Sequence, residues 1–173
     1  MRRCALFLLL AWALPARLSA APDAADDDRP LLAIIVAADA PDLPAGQARL
    51  ARIYQRRLQL NRQGQRLVPV NLPAAHVLRR SLSHLLFGKS PQQRVAYWNR
   101  RYFEGVSPPY VLDSQEAMLR FVATTTGAVG YVADCRVDPR VRVVERFLLP
   151  PDVDLEGLCV VPGEAPLSAG SRK

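Results

Sequence analysis

The sequence predicts an α/β fold, a β-sheet flanked by helices. Two observations carry that prediction. Short apolar runs rich in β-branched residues alternate with amphipathic stretches at helical spacing along most of the chain. Capping and turn residues, with Gly or Pro at the joints, mark most of the boundaries between them. The length of 173 residues, 50% of them apolar and 23% charged, suits one globular domain with a proper core. The same numbers exclude a multidomain enzyme, a disordered tail and a collagen-like chain. There is no internal repeat, and no Gly-rich nucleotide loop follows any strand.

The N-terminus comes first. Met1-Arg2-Arg3 is basic, Cys4 to Leu14 is an apolar run, and Leu18-Ser19-Ala20 before Ala21 places small residues where signal peptidase cleaves. Residues 1–20 read as a signal peptide for general secretion, which implies a periplasmic protein. A retained anchor is the competing reading, for which the apolar run is short. Residues 21–30 are acidic and polar and read as a flexible leader.

Leu31 to Ala37 is continuous and β-branched, which predicts a buried strand. Asp42 and Pro44 predict the cap and first turn of a helix over Gln47 to Leu60, with Leu50, Ile53, Tyr54 and Leu58 as its apolar stripe. Leu67-Val68-Pro69-Val70 predicts a short strand. Asn71 and Pro73 read as the cap and first turn of a helix over 74–87, which Gly88 ends. Ser90-Pro91-Gln92-Gln93 opens another helix as a capping box, and Val95, Trp98 and Tyr102 on one face are expected in the core.

Pro109 to Leu112 is a predicted strand. Asp113 and Glu116 read as a second capping box, opening a helix with Ala117, Met118, Phe121 and Val122 inward. Ala128 to Val132 predicts a strand, with Gly130 where another backbone is expected to approach closely. Val141 to Val144 predicts a further strand, and one more is expected around Leu158 to Val161. The domain expectation is an α/β domain over 31–147 and a partly disordered C-terminal extension over 148–173.

Cleavage after Ala20 removes Arg2, Arg3 and Arg17 and lowers the net charge from +7 to +4. That is a mild bias towards anions. No basic stripe with interleaved aromatics runs along the sequence, so nucleic acid is not an expected partner. No membrane span is expected after cleavage. Cys135 and Cys159 fit either a disulfide, which would stabilise by roughly 3 kcal/mol, or two free thiols.

No enzyme is expected. His76 and His84 stand two helical turns apart, about 12 Å along the axis, too far to share a metal. Ser81 and Ser83 beside His84 are neighbours on one helix and do not build a triad. No cofactor is implied. Thr124-Thr125-Thr126 before Gly127 offers hydroxyls and N–H groups at a turn, either lining a ligand site or closing a helix.

The order of these pieces carries a resemblance. Ala33-Ile34-Ile35-Val36, Leu50-Ala51-Arg52-Ile53-Tyr54 and Gly64-Gln65-Arg66-Leu67-Val68-Pro69-Val70 resemble the opening of a type 2 periplasmic binding domain. Phe87-Gly88-Lys89-Ser90, Tyr97-Trp98, Phe103-Glu104-Gly105, Pro108-Pro109, Ser114-Gln115-Glu116 and Gly127-Ala128-Val129-Gly130-Tyr131-Val132 recur in that order in the phosphate-binding component of phosphate ABC transporters and its short single-domain relatives. The resemblance spans about residues 32–146. It implies a single lobe of a type 2 periplasmic binding protein, with a mixed β-sheet flanked by helices.

What the resemblance implies for function is an exported substrate-binding-like protein. It would bind phosphate or another small oxyanion, in connection with an ABC transporter. In the family an Arg and a Ser-Gly-Thr turn after the Pro-Val strand hold the anion at a helix start. Here that segment is Asn71-Leu72-Pro73-Ala74-Ala75-His76, without the Arg or the hydroxyls, and Pro73 has no N–H. The expected ligand residues are therefore Asn71, His76, Arg79, Arg80, Thr125 and Thr126. A two-lobed receptor encloses its ligand in a cleft, and one lobe presents an open half-site. The partners expected on that ground are a small anion, a second copy or an envelope protein. The alternative function is an envelope interaction module derived from a binding-protein lobe that has lost its ligand.

Overall fold

The computed structural model describes residues 29–44 and 46–160. The segment expected to be a signal peptide, most of the expected leader and the chain after residue 160 lie outside the described residues. Five strands form one mixed sheet: β1 (Leu31–Ala37), β2 (Val68–Asn71), β3 (Tyr110–Val111), β4 (Ala128–Ala133) and β5 (Val141–Leu148). Their order across the sheet is β3-β2-β4-β1-β5. β2 is parallel to β3 and β4, whereas β1 runs antiparallel to β4 and β5. The carboxyl ends of β2, β3, β4 and β5 therefore share one edge with the start of β1.

Five helices complete the fold: α1 (Gln47–Tyr54), α2 (Val77–Phe87), α3 (Val95–Phe103), α4 (Gln115–Thr124) and α5 (Leu155–Cys159). α1 and α2 pack together on one face of the sheet, where the Tyr54 ring meets Tyr131 of β4 at 6.1 Å in an edge arrangement. α4 covers the other face. Gly130 of β4 permits that approach, because a Cβ there would lie 2.6 Å from the Met118 sulfur and 2.7 Å from a Val122 methyl. β1 and β4 are buried along almost their whole length between these layers, as strands covered on both faces must be. The α/β class and the mixed sheet flanked by helices are those the sequence predicts.

Several boundaries differ from expectation, each for a physical reason. α1 ends at Tyr54, well short of Leu60, because Arg56 turns into the left-handed region at φ 58. It begins at Gly46 with no side-chain cap, so Asp42 does not cap it. Asn71 is the last residue of β2, and His76, not Asn71, caps α2. Ser114, not Asp113, caps α4, its hydroxyl accepting the Ala117 N–H at 3.1 Å. Ser90 and Gln93 do form the expected reciprocal capping box, at 2.8 and 3.3 Å.

The α3 stripe is the largest departure in packing. No residue of α3 is buried; Val95, Tyr102 and Phe103 are exposed, Phe103 by 89%. Their apolar spacing is real, yet it faces away from the core. The expected strand near Leu158 is instead α5, tied down by a disulfide between Cys135 and Cys159 across 5.7 Å of Cα separation. The Gln115 amide bridges the same region: it donates to the Leu158 carbonyl at 2.9 Å and accepts the Ala133 N–H at 2.7 Å. Leu149 and Leu158 belong to the buried core, so the described part of the chain beyond residue 147 packs against the domain.

Candidate functional site

In open α/β sheets, ligands bind outside the carboxyl ends of parallel strands, where helices begin. That edge here holds the end of β2, the loop 72–76 and the first turn of α2. Asn71 is 2% exposed, and its Oδ1 accepts a hydrogen bond from Arg79 Nη1. Arg79, half-buried three residues into the helix, also faces the hydroxyl of Tyr131. That hydroxyl in turn accepts the Leu72 N–H at 2.9 Å. One guanidinium thus links the ends of the two central parallel strands at a helix start, a place that favours negative charge.

The electrostatics follow from burial. Tyr131 is pushed up to about 12, chiefly because burial disfavours the phenolate, with the Arg79 charge opposing the shift. Burial raises Tyr54 well above its ordinary value too, and the neighbouring Tyr131 adds to it. Both stay neutral at any physiological pH, so no phenolate competes with an incoming anion. His76 is depressed by burial and then by the Arg80 charge. Its neutral Nδ1 accepts the Leu78 N–H at 3.2 Å.

Arg80 turns outward and donates to the Ala75 carbonyl. One turn apart on α2, Arg80 and His84 line a cavity of about 600 Å³ together with Asp152 and the Leu148–Val153 segment. Thr125 and Thr126 are elsewhere. They close α4 at the amino end of β4 and line a cavity of about 360 Å³ with Asp39 and Gln65. Val68 pairs with Ala128, so the threonines and Asn71 stand at opposite ends of β2, about 10 Å of strand apart. The structure therefore pairs Asn71 with Arg79 and places His76 beside Arg80 at the same helix start, and does not bring the threonines to them.

Two residues that matter here were not singled out from the sequence. Tyr131 reads as an ordinary strand residue, and only the parallel pairing of β2 with β4 brings it under Arg79. Arg94 is the second. It is 6% exposed, and its guanidinium carbon lies 3.6 Å from the Phe87 ring centroid and 4.7 Å from that of Tyr97. Its Nη2 has no hydrogen-bond partner among the described residues. Burial lowers its pKa; Tyr97 opposes the shift, and the Arg79 and Arg57 charges add to it. Stacked guanidinium–aromatic contacts of this kind are favourable and explain why Tyr97 and Trp98 are half-buried on an otherwise exposed helix.

Among the described residues, no group of three or more His, Cys, Asp or Glu is placed to hold a metal ion. No described helix is long and apolar enough to cross a membrane.

Comparison with known proteins gives no matching family model and no matching curated protein. Solved structures do match. An ABC-type phosphate transport receptor from Vibrio cholerae superposes with a TM-score of 0.54 at 24% identity, covering 67% of this chain and 46% of that one. A phosphate ABC transporter substrate-binding protein with bound phosphate from Clostridium perfringens gives 0.55 at 16% identity, covering 67% of this chain and 44% of that one. The chain spans less than half the length of these receptors. At such identities the likeness is one of fold: β1 to β5 and their helices have the architecture of one lobe of a type 2 periplasmic binding protein.

Proposed function

We propose that this chain is an exported, non-enzymatic binding lobe that takes up phosphate or a similar small oxyanion at the carboxyl edge of its sheet, in connection with an ABC transporter. The observation that carries this reading is the position of Arg79. Asn71 and Tyr131 hold its guanidinium at the start of α2, where an anion gains both from the charge and from the helix dipole. Arg80, on the next residue, supplies a second charge at the rim. Binding needs no covalent step: the oxyanion exchanges water for guanidinium and backbone donors. The fold shared with phosphate receptors supports the same reading by analogy.

A second reading is favoured by one specific feature. His76 already takes the Leu78 N–H, and Pro73 offers none, so donors that a phosphate site would use at this helix start are occupied or missing. On this reading the lobe binds another envelope protein and no anion. Calorimetric titration with phosphate and sulfate separates the two. The binding reading predicts saturable heat that Arg79→Gln reduces at least tenfold in affinity. Absence of heat at millimolar anion would leave only the interaction module.

A further inference from the structure

The opposite edge of the sheet carries a feature that the binding reading does not use. Between Leu43 and Leu112 the sequence holds twelve Arg and Lys residues and a single acid, Glu104, which Arg101 pairs. That segment supplies α1, β2, α2, α3 and β3. It also carries most of the exposed large apolar side chains: Leu60, Val95, Tyr102, Phe103, Tyr110 and Val111. The fold brings Arg56 and Arg66, remote in sequence from Tyr110, beside it at the amino ends of β2 and β3.

There a cavity of about 490 Å³ opens, lined by Arg56, Gln59, Arg66, Ser107, Pro108 and Tyr110 among others. Its described lining includes no Asp or Glu. Arg56 and Arg66 line the same cavity, and burial, then the Arg66 charge, lowers the pKa of Arg56 while Tyr110 opposes the shift. The Arg56 Nε is buried without a hydrogen-bond partner, although its Nη1 donates to the Leu67 carbonyl at 3.3 Å. Two like charges held together without a counter-charge are stabilised by a ligand of opposite sign.

The backbone points the same way. Arg56 has a φ of 58, the only positive value at a described non-glycine residue. It follows the end of α1, where glycine is the usual residue because a Cβ is disfavoured in that conformation. An arginine there strains the backbone, and strain of this kind gathers at sites where a side chain is needed.

We propose that this cavity is a binding site for a small organic phosphate bearing a planar ring, distinct from the carboxyl-edge site. The phosphate bridges the guanidiniums of Arg56 and Arg66, whose forks suit a dianion. The ring lies against Tyr110, which is 69% exposed, and Pro108. Gln59 and Ser107 supply hydrogen-bond partners for the body of the ligand. The volume suits a molecule well above the size of inorganic phosphate and falls within the range of small-molecule pockets.

The test uses the purified protein and AMP, with adenosine, inorganic phosphate and a single-stranded oligonucleotide as comparisons, by calorimetry. AMP binds at one site, and adenosine binds at least tenfold more weakly. Arg66→Gln lowers AMP affinity at least tenfold and Tyr110→Ala about threefold or more, while Arg120→Gln, exposed on α4 across the sheet, leaves it unchanged. Arg56→Gly abolishes AMP binding yet keeps or raises the melting temperature, because glycine relieves the left-handed backbone; a merely structural arginine would not separate those readouts. No binding of AMP at 10-fold above millimolar concentration (about 10 mM, beyond the weakest affinities of interest) overturns the proposal. So does AMP binding that Arg79→Gln abolishes and Arg66→Gln spares, and so does oligonucleotide binding far tighter than AMP through the same residues, which would make this a polyanion surface.

Discussion

The hydroxyl of Tyr131 accepts the backbone N–H of Leu72 at 2.9 Å, a bond that spans 59 residues of sequence. It ties the loop after β2 to β4 and places a neutral phenol under Arg79. The whole carboxyl-edge arrangement rests on this contact, and several predictions depend on it or on its neighbours.

Tyr131→Phe leaves the Leu72 N–H without its partner and removes the group that Arg79 faces. An unsatisfied buried donor costs about 1–3 kcal/mol, so urea unfolding of the variant should show a loss in that range. A raised tyrosine pKa means that the folded state holds its proton more tightly than the unfolded chain. The associated stability is complete below pH 10, the ordinary value, and is lost as pH rises through about 12. Ultraviolet titration of the wild-type protein should contain two late phenolate components, from Tyr54 and Tyr131, of which Tyr131→Phe keeps one.

His76 gives the opposite sign. Its folded pKa lies below 6.5, so the folded state favours the neutral ring, and the cap it provides is complete above pH 6.5. Stability should fall as pH drops through the depressed value, when Nδ1 gains a proton and can no longer accept from Leu78. NMR titration of the imidazole checks the midpoint. His76→Ala should cost about 1 kcal/mol, in line with other helix caps, and should flatten the pH dependence in that window.

Much of the fold was legible before the structure, and the misses have identifiable causes. Leu31–Ala37 and Ala128–Ala133 are apolar throughout because both faces of the sheet are covered, and such runs are easy to read. α3 was misread because aromatics at helical spacing look the same whether they fill a core or wrap a buried arginine; Arg94 is what Tyr97 and Trp98 pack on. α5 was misread as a strand because its position depends on Gln115 and Cys135, both remote in sequence. The threonines were grouped with Asn71 because sequence carries no strand direction. Once β2 and β4 are known to be parallel, Thr125 and Asn71 fall at opposite edges. Arg79 and Arg80 stand near the helix start where the sequence places them, whereas Tyr131 carries no signal of its own.

Arg140 holds Glu116 through two hydrogen bonds at 2.9 and 3.1 Å and Asp138 at 2.6 Å. These bonds hold both carboxyl groups below their ordinary values. Such groups contribute stability above the usual carboxylate range, and the contribution is lost as pH falls through their depressed folded values. The pairs are partly exposed, so the effect is modest. Thermal unfolding from pH 5 downward should show a steeper loss for the wild-type protein than for Arg140→Gln. Equal slopes would mean that the pairs contribute nothing.

The disulfide between Cys135 and Cys159 closes a sequence separation of 24 residues. Reduction should lower stability by roughly 3 kcal/mol in the chain-entropy description, and the effect should be largest in hydrogen exchange around α5 and Gln115. A protein whose stability and exchange are unaffected by reduction would show that Leu158 and the Gln115 bridge hold this segment without the bond.

At Gly127, φ is 77 and an added Cβ would lie 2.0 Å from the Arg66 carbonyl oxygen. Gly127→Ala therefore combines a strained backbone with a clash against main chain. The expected cost is at least about 1–3 kcal/mol, measurable by urea unfolding, and greater than that of Ala at the open turn of Gly64.

The central claim is that Arg79, Asn71 and the start of α2 form an anion site. Amide NMR during a phosphate titration tests it most directly. The account predicts saturable shifts concentrated at residues 71–80 and at Tyr131, absent in Arg79→Gln. Saturable shifts confined to other parts of the molecule, or none at all, would contradict it.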